Sequence, residues 1–120
     1  MATNYVQNGE VLAYTNAGSA IASGDVVVIG NIMGVALTDI ANLETGSVAI
    51  EGVFTLPKVA GAVIAQGEKV IWDVSAGAFD DSEATPATGD VSGCCIAMEA
   101  AGNGVTSIAV KLNVGPGTVA

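Results

Sequence analysis

Apolar and polar residues alternate with a period of two over the best-defined stretches of this chain, a pattern that predicts β-strands. Across residues 48–56 one alternate set is Val48, Ile50, Gly52, Phe54 and Leu56, and the other is Ala49, Glu51, Val53 and Thr55. The first set is expected to face a core, with Pro57 ending a central strand. Residues 108–114 behave alike, Ile108, Val110, Leu112 and Val114 standing against Ala109, Lys111 and Asn113. The run Val26-Val27-Val28-Ile29 lacks alternation and predicts a strand covered on both sides, by the core on one and on the other by further protein such as a neighbouring subunit.

Glycine and small polar residues punctuate these runs at strand spacing. Ser23-Gly24-Asp25 and Gln66-Gly67-Glu68 are each expected to introduce a strand, and Ser75-Ala76-Gly77 to reverse a hairpin with arms 70–74 and 78–79. Gly102-Asn103-Gly104 reads as a turn into the last strand. Residues 58–65 fit either one short helical turn or a strand.

The two halves resemble each other. Residues 22–28 match 65–71, each a glycine–acid turn feeding an apolar strand; 34–37 match 93–96, and 47–50 match 107–110. The fold expected is therefore all-β: a compact single domain over residues 1–120, built as a β-barrel or jelly-roll-like sandwich. It carries a weak twofold repeat, an extended N-terminal arm (residues 1–9) and an acidic loop (residues 79–90).

Composition narrows the chemistry. The 120 residues carry 12 acidic groups against 3 lysines, a formal charge of -9, with no histidine. Nucleic acid binding rests on clustered cations that displace counterions from phosphates, so it is not expected here. Without imidazole, Ser-His and Cys-His nucleophile pairs and the common zinc sites cannot be assembled. No apolar run approaches the roughly 18 to 20 residues of a spanning helix, and residues 1–10 have neither a positive n-region nor an apolar h-region, so neither a membrane span nor a secretory signal is expected.

The remaining constellations have plainer readings. Asp80, Asp81, Glu83 and Asp90 offer the oxygen ligands calcium takes, but their spacing is not that of an EF-hand loop, and a solvated acidic loop accounts for them. A glycosidase carboxylate pair needs a cleft with aromatic walls, whereas Tyr5, Tyr14, Phe54, Trp72 and Phe79 are the whole aromatic set. Glycine-rich segments such as 30–34 match no phosphate-binding motif. Cys94 and Cys95, being neighbours, are read as reduced, buried small hydrophobes. Trp72 alternates with Val70 and is read as a core or interface anchor. No enzyme activity, metal or cofactor is expected.

The opening MATNYVQNG (1–9), ASGDVVV (22–28), MGVALTDI (33–40), ETGSVAIEGVF (44–54), LPK (56–58), QGEKVIWD (66–73) and IAVKLN (108–113) occur in an order that resembles the capsid cement, or decoration, proteins of tailed bacteriophages. The resemblance implies an all-β protein of the virion, made in the bacterial host cytoplasm, that sits on the outer capsid surface. There it would clamp neighbouring major capsid protein subunits, with no enzymatic role. A homotrimer is expected in preference to a dimer. The arm residues Asn4, Tyr5, Val6 and Gln7, together with Trp72, are the expected capsid or subunit contacts. The alternative is a virion-displayed adhesion module for a host-surface glycan, which would need exposed aromatics or a calcium site in the 79–90 loop.

Overall fold

The computed structural model describes residues 3–4, 7 and 9–120, and among them no helix forms. Ten strands follow one another: β1 (Val11–Thr15), β2 (Val26–Ile29), β3 (Ile32–Ala36), β4 (Thr45–Ala49), β5 (Val53–Pro57), β6 (Lys69–Asp73), β7 (Ala78–Asp80), β8 (Val91–Ala97), β9 (Ser107–Lys111) and β10 (Thr118–Val119). They make two antiparallel sheets, β1-β4-β3-β2 and β5-β9-β8-β6-β7, with β10 on β8. The second sheet curls until Lys58, just past β5, meets Phe79 of β7 in one parallel bridge. A single bridge is not a ladder, so the barrel stays open and the architecture is sandwich-like.

The internal repeat is topological. Reading β1, β2, β3, β4 as β5, β6, β8, β9 converts the first sheet order into the second. Residue equivalence follows from the ladders: Val48 pairs with both Leu12 and Ala36, as Val110 pairs with both Phe54 and Ala97. Gly24 donates to Ala36 O and Gly67 to Ala97 O, both at 2.8 Å. Ala36 therefore corresponds to Ala97 and Val48 to Val110, two positions beyond the matches drawn from sequence similarity (Cys95 and Ile108). A slip of two leaves every side chain on its own face, so a period-two pattern cannot detect it, and only the turn hydrogen bonds set the register.

One turn design delivers the chain into strand after strand. In Ala22-Ser23-Gly24-Asp25, the Asp25 N–H donates to Ala22 O at 3.0 Å while its carboxylate accepts the Ala22 N–H at 3.0 Å. The same reciprocal pair closes Ala41-Asn42-Leu43-Glu44, Ala65-Gln66-Gly67-Glu68 and Ala87-Thr88-Gly89-Asp90. Gly102-Asn103-Gly104-Val105 keeps the backbone bond without the acid. The third residue has positive φ each time: +92° at Gly24, +85° at Gly67, +92° at Gly89 and +91° at Gly104, but +67° at Leu43. A side chain held there costs about 1 kcal/mol relative to glycine.

Three sequence expectations change. Residues 48–56 are not one strand: Gly52, with φ +119°, breaks the run and carries the chain from the first sheet into β5, an edge strand and not a central one. Alternation persists across the break because a turn preserves the parity of facing. The dry face of β9 ends at Leu112, since Asn113 at φ +54° turns the chain and leaves Val114 exposed. Residues 58–65 form neither helix nor strand, Ile64 bridging Ala101.

Both faces of β2 are covered from within the chain. Val26 and Val28 pack with Met33 and Val35 against the large core of the second sheet, while Val27 joins Ala36, Ile40 and Val48 in a smaller core beneath the loops. The link between sheets is polar as well as apolar. Asn113 donates to Met33 O at 2.7 Å and to Ile50 O at 2.6 Å, and its Oδ1 accepts the Met33 N–H at 3.0 Å. It stands where the β4 ladder has already left β3. Nearby, Asn31 donates to Gly117 O at 2.8 Å and accepts the Gly117 N–H at 2.7 Å.

Candidate functional site

Buried polar side chains are where chemistry would be sought, and here they hold loops. Lys58, 3% exposed, points its ammonium at the carbonyls of Val59 (2.8 Å), Val105 (3.0 Å), Gly102 (3.1 Å) and Ala60 (3.4 Å), with no carboxylate among its partners. Asn16, the corresponding residue after β1, donates to Ser19 O and Ile40 O and accepts the Gly18 N–H. Asp90 accepts the N–H groups of Val74 and Ala87. No buried side-chain nitrogen or oxygen among the described residues lacks a partner, so none is left over for a substrate.

The acidic segment behaves as a set of turn closures. Phe79 lies in β7, fully buried with its ring edge-on to Trp72 at 4.9 Å, and Asp90 is buried as well. Between them Asp80 Oδ1 accepts the Asp81 N–H, and Asp81 Oδ1 accepts the Glu83 N–H. The described residues contain no group of three or more candidate metal ligands.

Glu68 tethers this segment from the preceding turn. Its carboxylate accepts the Ala65 N–H, then the N–H and hydroxyl of Ser82, and those bonds hold its pKa below the usual 4.5. A carboxyl whose folded value is depressed adds stability that is complete above its unfolded value and is lost as pH falls through the folded one. Glu68→Gln is therefore expected to remove part of the protein's stability at pH 7 and none once the pH has fallen below the carboxyl's depressed folded value, read as a difference in Tm that shrinks as the medium is acidified. The group is close to solvent, so a shift of a few degrees at most is expected.

The consecutive Cys94 and Cys95 are both free and buried, and Gly93 beside them in β8 has φ +80°. The Cys94 Sγ donates to Asn113 Oδ1 at 2.8 Å, and Cys95 faces Met33 Sδ at 3.8 Å. The neighbouring Cys95 thiol draws Cys94 down to about 7 against the opposing effect of burial, while Cys94 and burial together hold the Cys95 thiol far above its ordinary value. At 1% exposure access decides against reactivity, whatever the acidity.

Of the residues singled out from sequence, Asn4, Gln7 and Trp72 lie among the described residues. Asn4 and Gln7 are exposed, and Gln7 Nε2 donates to Val11 O at the start of β1. Tyr5 and Val6 lie outside the described residues. Trp72 is 7% exposed, a core residue of the second sheet, with one edge at a cavity of about 250 Å³ that Asp25 and Pro57 also line. A second cavity, about 310 Å³, has an apolar floor of Ala20, Ile21 and Ile40 with Asp39 and Glu44 at its rim. Trp72 and Phe79 being interior and Phe54 and Tyr14 half-buried, the described residues present no exposed aromatic ring for a sugar.

What remains among the described residues is a surface with open strand edges and scattered exposed aliphatic groups and no convergent reactive set, on a chain of charge -9. Lys58, Asn16, Asn113 and Leu43 were not visible as special from sequence; Lys58 and Asn16 each directly follow the first strand of a repeat, a signal only the repeat register reveals. No curated protein matches the chain. The phage cement protein family matches it over residues 6–112, from the arm through the end of β9, and the chain therefore belongs to the phage cement protein family, structural proteins of the viral capsid.

Proposed function

We propose that this protein binds the outer surface of the capsid shell as a homotrimer and stabilises it by clamping neighbouring major capsid subunits. The observation that carries the reading is the free edge of β1. Among the described residues the strand Val-Leu-Ala-Tyr-Thr pairs with β4 alone and has no charge, proline or bulge to blunt it, so apart from the Val11 carbonyl, which accepts Gln7 Nε2, its outer backbone groups are open to another chain. The corresponding strand β5 ends in proline, and just past it the chain bridges to β7. On this reading the arm preceding β1 joins such an edge, on a neighbouring copy or on the shell, through Asn4, Tyr5, Val6 and Gln7, with the edge of Trp72 as a further contact. Many copies on a closed shell turn a weak strand contact into firm retention, and a charge of -9 keeps the free protein soluble and away from DNA.

Deletion of residues 2–8 is expected to leave the fold intact and to weaken pelleting with expanded empty capsids about tenfold or more. Unchanged pelleting would remove the arm from the mechanism. Failure of the intact protein to bind those capsids would remove the function itself.

A further inference from the structure

The molecule contains its own control for one residue. Positions 41–44 and 102–105 are corresponding turns, each reached from an antiparallel bridge (Ile21 with Ile40, Ile64 with Ala101). Where the second repeat places Gly104 at φ +91°, the first places Leu43 at φ +67°. Among the described residues nothing covers that side chain, which is 76% exposed, the most of any large apolar residue described. The turn itself is firmly held, Leu43 N–H donating to Asn16 O and Asn42 Nδ2 to Gly18 O. A leucine kept where backbone and solvent both disfavour it, on a rigid turn, has the form of a preorganised anchor.

We infer that Leu43 is the anchor of the shell contact, seated in an apolar recess of the major capsid protein whose basic side chains face Asp39 and Glu44; the inference rests on the capsid-binding function proposed above. Charge decides the occupant. Each of the two carboxylates spends one oxygen on a turn N–H, Asp39 on Ser23 and Glu44 on Ala41, leaving the other for a cation. A second copy of this chain is a poor source, since of its 3 lysines Lys58 is buried and only Lys69 and Lys111 reach solvent against 12 acidic groups. An external partner carrying lysine or arginine beside an apolar hollow satisfies leucine and carboxylates together.

Leu43→Gly separates this role from folding, because glycine is the residue the sister turns use. The variant is expected to keep the wild-type oligomeric mass with a Tm at or above wild type, while its half-saturation on expanded empty capsids weakens tenfold or more. Leu43→Asn, which tolerates the left-handed backbone, is expected to behave likewise, and Met98→Ala, at the position matching Leu37, to bind as wild type. Asp39→Asn keeps the acceptor for Ser23 and is expected to flatten the salt dependence of binding. Unchanged capsid binding by Leu43→Gly overturns the inference, as does a lower Tm, equal weakening by Met98→Ala, or a changed oligomeric mass, which would make the occupant a second copy. Loss of capsid binding by the wild-type protein would instead overturn the function on which the inference stands.

Discussion

An Asn113→Asp variant is expected to lose about 2 to 4 kcal/mol of stability at pH 7, although a single NH₂ has become an oxygen. The native amide presents Oδ1 to the Met33 N–H and the Cys94 thiol, and Nδ2 to the carbonyls of Met33 and Ile50. The substitution keeps the first pair and turns a carboxylate oxygen on the second, which leaves two carbonyls without a donor and sets negative charge against their dipoles. Because Met33 belongs to β3, Ile50 follows β4 and Cys94 belongs to β8, the damage falls on the junction between the sheets. A fall in Tm of roughly 8 to 15 °C is the scale for a domain of this size. The pH dependence identifies the cause. Carbonyl neighbours raise the new carboxyl's folded pKa above its unfolded value of about 3.9, so the penalty grows as pH rises through the folded value and shrinks as pH falls. Part of the lost Tm is expected to return between pH 7 and pH 4. A deficit that does not change with pH would mean that the amide merely fills space.

Lys58→Met is expected to cost a similar amount, about 2 to 4 kcal/mol, for a different reason. Methionine keeps the length and apolar stem of lysine but donates nothing. The ammonium has three N–H groups, and three of its carbonyl partners lie within 3.1 Å, so the cage replaces its hydration nearly bond for bond. Losing it frees the carbonyls of Val59, Gly102 and Val105 in a dry site while sparing the protein the burial of a charge, and the first effect is the larger. The two segments so joined, 58–60 and 102–105, flank the Ile64 and Ala101 bridge, and hydrogen exchange at the Ile64 and Ala101 amides is expected to accelerate before the β6–β8 ladder is affected. Uniform acceleration across the second sheet, or a Tm equal to wild type, would deny the cage that local role.

Where the same chemistry recurs along the chain, sequence was a good guide. The turns at 23–25, 66–68, 75–77 and 102–104 were legible because glycine with a small polar or acidic neighbour has few other uses between apolar runs, and Gly24, Gly67, Gly77 and Gly104 all have positive φ. The turn at Leu43 was not legible, since leucine carries no sign of a left-handed backbone. Lys58 misled in another way: lysine predicts solvent, and only a cage completed by residues more than 40 positions away makes its burial tolerable. The contact surface was the least readable part, because binding to another molecule leaves no trace in the periodicity that folding imposes.

By itself the sequence determined the class of the protein. Its period-two apolar runs and glycine–acid turns specify a β-domain, its composition sets the charge of -9, and the order of its motifs specifies the family. These are local properties, each carried by a few neighbouring residues. The tertiary structure alone decided how the halves correspond, since a two-residue slip is invisible to alternation. It alone decided that residues 48–56 divide between two sheets at Gly52, and that Asn113 and Lys58 bind segments distant in the chain. Such features depend on which backbone groups remain unpaired once the strands have docked, a quantity that exists only in the folded molecule.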